Sequence, residues 1–181
     1  LWTLIPLCVA MSAGTGFRNA WSGPYLADVF GLQAGTRGMA LMLLSLAGFL
    51  TAFALPVLVR RSSLKAAIGI WGCLATAGGI ALTIWPDAGV ASGVGMMALL
   101  STIGMLHPLV MAQGRALIPA PARGRGLGLL NTFVFLGSAL TSWGFGLIAN
   151  VGHLRDWPVA HTYSAIFLSA VVVVALSLVP Y

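Results

Sequence analysis

Few residues in this sequence could do chemistry, and most of them stand at helical spacing. Ser12, Thr15, Asn19 and Ser22 follow at three- and four-residue steps, which aligns them on one face of a helix with Arg18 beside them. Asn131, Phe135, Ser138 and Ser142 repeat the pattern further along. Each stripe has two readings. The hydroxyls can bond the backbone of their own helix while the asparagines cap or bridge neighbours, or both stripes can face a hydrated central cavity. A pair of asparagines with an arginine is the part that packing alone explains least.

Arg18 carries the most information. Inside a membrane span a guanidinium costs about 2.5–3.5 kcal/mol on insertion scales, so it faces water, a carboxylate or a functional path. Snorkelling to the outer interface or pairing with Asp28 would satisfy it. So would an anion, or a charge partner from a domain outside this chain. Gly14, Gly16, Gly23 and Pro24 surround it and predict a bent helix, the kind that transporters place around a binding site. His107 is open to a proton-relay role or to packing, and Pro108 should kink its helix because it has no backbone N–H. His153 and His161 flank a polar break and read as solvated. Cys8 and Cys73 lie in apolar runs without metal-ligand or redox spacing. No catalytic residue, metal site or cofactor is assigned.

The elements that must hold these residues are set by composition. Of 181 residues, 59% are hydrophobic and 7% charged. A soluble domain carries about 25% charged residues, so a soluble enzyme, a nucleic-acid binder and a secreted disulfide scaffold are all excluded. Stretches of about 20 apolar residues suit a bilayer crossing, and six are expected near 3–27, 37–59, 65–85, 90–113, 125–149 and 160–180. The breaks are Gly31–Gly35, Arg60–Ser63, Trp85–Gly89, Gly114–Arg123 and Asn150–Pro158. No alternation of the kind a membrane barrel needs is present. The expected class is an all-α, multi-pass membrane protein, with residues 1–181 forming a single six-helix domain. Because the chain opens on Leu1 and not on a methionine, it is expected to be a piece of something longer.

The net charge of +6 has a topological cause. Arg60, Arg61 and Lys65 fall at the second break and Arg115, Arg123 and Arg125 at the fourth, against only Arg37 and Arg155 on the other side. Basic loops stay in the cytoplasm, which predicts that both chain ends are cytoplasmic and that Trp85 and Trp157 anchor the opposite interface. The partners expected are therefore lipid and a small-molecule substrate, and no nucleic acid. Gly89–Gly93 and Gly124–Gly128 have the spacing of close helix contacts. The nearly polar-free run from Ile166 to Leu176 predicts a lipid-facing outer helix.

With six spans, inward basic loops and a bent polar first helix, the chain resembles the C-terminal half of a major facilitator superfamily (MFS) transporter of bacterial type. The stretch from Asn19 to Gly31 is similar to the seventh helix of such proteins and its following loop. Gln113-Gly-Arg115 with Arg123 to Asn131 is similar to their basic loop between helices ten and eleven. The resemblance implies that residues 1–181 are helices seven to twelve, that a six-helix N-terminal half is missing, and that the location is the cell inner membrane. It implies transport of a small solute by alternating access, with Arg18, Asn19, Asn131, Phe135 and Ser138 lining the cavity. Arg60, Arg61, Lys65, Arg115, Arg123 and Arg125 would then hold the cytoplasmic face. One departure stands out: Val59 occupies the place of an expected Asp in the loop signature, and no Gly precedes it. No acid lies near the centre of a span, so proton coupling would rest on the missing half or on His107. The rival readings are a non-transporting membrane scaffold, a half-size dimeric transporter and an intramembrane serine protease. The protease reading is weakened because Ala20-Trp-Ser22-Gly23 lacks the glycine expected before the nucleophile.

Overall fold

A computed structural model describes residues 2–61 and 63–181. Leu1 and Ser62, the latter part of the predicted second break, lie outside the described residues. Of the described residues 89% are helical and none is in a strand.

The first helical path runs through α1 (Leu4–Gly16), one π-helical turn (Phe17–Trp21) and α2 (Ser22–Phe30). It continues with α3 (Ala34–Arg61), α4 (Leu64–Ile84), α5 (Val90–Ser101), a 3-10 stretch (Thr102–Leu106), α6 (His107–Leu117), a 3-10 turn (Ala120–Ala122), α7 (Arg123–Leu154) and α8 (Val159–Leu178). Among the described residues, five stretches are long and apolar enough to cross a membrane: Ala34–Arg61, Leu64–Ile84, Val90–Leu117, Ala120–Leu154 and Val159–Leu178. The protein is thus all-helical, with the make-up of a multi-pass membrane protein. The predicted span 3–27 does not join those five as one uniform helix, because the π turn divides it into a 13-residue and a 9-residue α-helix.

The connections are tighter than the sequence suggests. Gly35 and Arg37 belong to α3, Arg60 and Arg61 to its last turn, Arg115 to α6, and Asn150 to α7. At about 1.5 Å per residue, the 28-residue α3 and the 32-residue α7 both exceed a hydrocarbon core of about 30 Å, so polar residues can stay helical beyond it. Gly31 closes α2 in the left-handed conformation, at φ 64°, and its N–H bonds Ala27 O at 2.8 Å. Ser63 caps α4 by accepting the Ala66 N–H at 3.1 Å.

Helix α1 is the axis of the bundle, with Leu4, Leu7, Cys8, Met11, Ser12 and Gly14 all buried. It packs on α7, on α8 and on the 3-10 stretch. Helix α8 is outward-facing on one side only. It packs on α4, α1 and α7, burying Ile166, Phe167, Ala170 and Val174, while Val159, His161 and a strip through Leu168, Val172 and Leu176 are exposed. An apolar surface fits lipid and protein neighbours equally well, so apolar composition alone does not place a helix at the rim. The most exposed long helices are α3 and α7.

The expected glycine pairs mark close contacts only in part: Gly93 lies against α2, where an added Cβ would come within 3.1 Å of Tyr25 Oη, and other close approaches fall outside the pairs. A Cβ at Gly137 of α7 would lie 2.8 Å from Val9 Cα, and one at Gly78 of α4 would lie 2.6 Å from Leu99 Cβ. Gly124 and Gly128 face open space. The paired spacing therefore marks no contact there, while single glycines permit the approach of neighbouring helices.

Candidate functional site

The bend in the first path has a local cause. Pro24 has no N–H to offer Ala20 O, and the Ser22 N–H bonds Phe17 O, five residues back. Arg18 O is thereby left without the donor an α-helix would supply, and the Ser22 hydroxyl donates to it instead. A second irregularity faces the first. Pro108 cannot serve Gly104 O, and the His107 N–H takes that carbonyl three residues back, which tightens the Thr102–Leu106 stretch into a 3-10 helix. The kink predicted at Pro108 takes this form.

Between these two irregular segments and α7 lies a cavity of about 310 Å³. Ser12, Thr15 and Asn19 line it from the first path, His107 from α6, and Phe135 and Ser138 from α7. The two polar stripes meet at this cavity. Their hydroxyls are largely engaged by backbone: Thr15 donates to Met11 O at 2.9 Å, and Ser12 donates either to Cys8 O at 3.1 Å or to Val134 O on α7. Gly16 lies against α7, where an added Cβ would come within 3.2 Å of Ser142 Oγ and 3.9 Å of Ser138 Oγ. The polar groups left to meet a solute are the Asn19 amide, the His107 imidazole and the Ser138 hydroxyl, with the exposed Phe135 ring as an apolar wall.

Two candidates do not line this cavity. Arg18 is half-buried and reaches across to α3, where its Nη2 donates to Ser45 Oγ at 3.3 Å. Its Nη1 occupies the space that a side chain at Gly48 would need. Asp28 does not pair with it; that carboxylate accepts the Tyr163 hydroxyl at 2.6 Å. Asn131 is exposed on α7, one turn before Phe135 and outside the lining. His107, which the sequence left between two roles, lines the cavity. Met11 and Gly104 complete it without any sequence signal of their own.

The basic residues expected to act together lie around one end. Helix α4 begins there with Lys65, whose Nζ stands 5.7 Å from the centre of the Tyr181 ring. The Tyr181 hydroxyl donates to Gln113 Oε1 in α6, tying the ends of three helices together. Arg60, Arg61, Arg115, Arg123 and Arg125 are all exposed. Compared with known protein families, with curated proteins and with solved structures, the chain matches none of them.

Proposed function

We propose that the chain is the C-terminal six-helix half of an MFS-type secondary transporter and moves a small solute by alternating access. The observation that carries this reading is the convergence of both polar stripes, together with His107, on one cavity flanked by a π turn and a 3-10 stretch. Irregular backbone at membrane depth is tolerated where it is buried in protein or lines a water-filled cavity. A second support is the exposure of Asn19 and Asn131 within spans. Lipid would penalise these amides, so the reading places a second bundle or water against them, on the side where α3 and α7 are most exposed. In this reading Asn19, His107 and Ser138 contact the solute, Phe135 packs on it, and Arg18 holds α3 against the bent helix. The basic end is the cytoplasmic face, and the membrane is the cell inner membrane.

Two experiments test the proposal. Reading the coding sequence upstream of Leu1 should reveal six more spans in frame; a start codon immediately before Leu1 would overturn the assignment as a half. A thermal-shift screen of sugars, amino acids, organic anions and amphiphilic drugs on the complete protein should find a solute that raises the melting temperature of the wild type but not of Ser138→Leu. The same solute should accumulate in vesicles containing the wild type. If no solute shifts the wild type and none accumulates, the transport reading fails.

A further inference from the structure

A second cavity, of about 320 Å³, opens at the end opposite the basic loops, between α2, α7, α8 and the turn that precedes α8. Its chemistry differs from that of the first. Asp28, one of three acidic residues in the chain, stands in its lining and is exposed. One carboxylate oxygen, Oδ2, accepts the Tyr163 hydroxyl at 2.6 Å, so the negative charge is oriented by a neutral donor and not cancelled by a cation. Trp21 and Trp157 face the same space, with His153 beside them.

Each aromatic is held in place. Trp21 packs edge-on against Phe145, with ring centroids 6.3 Å apart, and Trp157 is backed by the His161 ring at 4.7 Å. The Trp157 backbone N–H donates to Gly152 O at 2.9 Å, and Asp156 before it adopts a left-handed φ of 51°, a conformation that Asp tolerates better than most residues. Tyr163 is buried against Tyr25, with centroids 5.2 Å apart. The site therefore brings an oriented carboxylate and two packed indole rings into the lining of one cavity, at the small end of the ligand range.

We propose that this cavity binds an alkylammonium group. A cation over an indole face is attracted by the ring quadrupole, and the carboxylate adds a charge interaction that a neutral molecule of the same shape does not receive. A divalent metal is a poorer occupant: among the described residues, no three His, Cys, Asp or Glu side chains come together. The ammonium group could belong to a free solute or to a lipid headgroup, since the Trp157 end is also where indoles meet the bilayer surface. This inference does not depend on the transport reading.

The test uses the complete protein in nanodiscs of phosphatidylglycerol alone, which contain no ammonium. Choline is titrated by calorimetry beside its uncharged isostere 3,3-dimethylbutan-1-ol. Choline should bind at least about tenfold more tightly than the alcohol, and both Asp28→Asn and Trp157→Leu should weaken it to a similar extent. Tyr163→Phe, which removes the competing donor from Asp28, should leave choline binding intact. Adding phosphatidylethanolamine to the disc separates the two sources: loss of choline binding identifies a headgroup as the occupant, and unchanged binding identifies a free cation. Equal binding of choline and the alcohol, unchanged choline binding in a folded Asp28→Asn protein, or no choline binding in ammonium-free discs would each overturn the proposal. The comparison of choline with its isostere, each corrected for binding to protein-free discs of the same anionic lipid, needs no variant, so it decides the question even if the substituted proteins do not fold.

Discussion

At the scale of single residues, the informative side chains are those that repair an irregular backbone. Ser22 gives its hydroxyl proton to Arg18 O, the carbonyl that the π turn strands. Hydroxyl bonds inside membrane proteins average about 0.6 kcal/mol, so Ser22→Ala should destabilise the protein by roughly that amount when unfolding is followed in mixed micelles. No measurable loss would mean that Arg18 O has another donor. Arg18 itself braces α3 through Ser45 and the space over Gly48. Arg18→Gln should lower stability by about 1 kcal/mol, the scale of a single hydrogen bond, while leaving solute affinity at the Asn19–Ser138 cavity within about twofold. A loss of affinity with unchanged stability would return Arg18 to the solute path.

At the scale of elements, backbone approach decides more than motif. Gly137 lets α7 come against Val9 of α1, where an added Cβ would meet Cα at 2.8 Å, a backbone atom that cannot rotate away. Overpacking of this kind costs about 1–3 kcal/mol, so Gly137→Ala should be destabilising to that degree. Gly128→Ala, on the same helix but facing open space, should be neutral or slightly stabilising through helix propensity. Equal effects from the two substitutions would show that α1 and α7 are further apart than described. The same contrast shows what sequence could reveal. Apolar run length located the helices to within a few residues, because bilayer thickness and hydrophobicity act on each segment separately. The polar faces of the first and fifth predicted spans were legible for the same reason, since spacing along one helix is local information. What lies across from a residue is not local. Arg18 points at α3, Asn131 misses the cavity and α8 packs one face on three helices while exposing the other, and each of these outcomes depends on how helices rotate about one another. Trp21 and Asp28 share the first helical path, seven residues apart, but Trp157 belongs to the turn before α8, and only folding brings it to their cavity.

At the scale of the whole molecule, the two ends have different characters. Lys65, Gln113 and Tyr181 gather at one end with the exposed Arg60, Arg61, Arg115, Arg123 and Arg125, whereas Asp28, Tyr163, Trp157 and the Pro86 turn, whose carbonyl accepts the Tyr25 hydroxyl, mark the other, where Arg155 is the exposed arginine. Because positive loops remain cytoplasmic, a cysteine introduced by Ala88→Cys should react with an impermeant maleimide on intact cells, and one introduced by Ala120→Cys should not. Both positions are exposed, and the background would carry replacements for Cys8 and Cys73. Labelling at position 120 from outside would reverse the orientation. The seam between α1 and α7 adds a consequence for motion. Ser12 has one proton and two carbonyls within reach, Cys8 O beneath it and Val134 O across the seam. It works as a catch with a resting position: when the facing helix slides away, the proton drops back onto its own chain and no donor is stranded in the interior. Separation of the two helices would therefore strand no hydroxyl donor at this point of the seam.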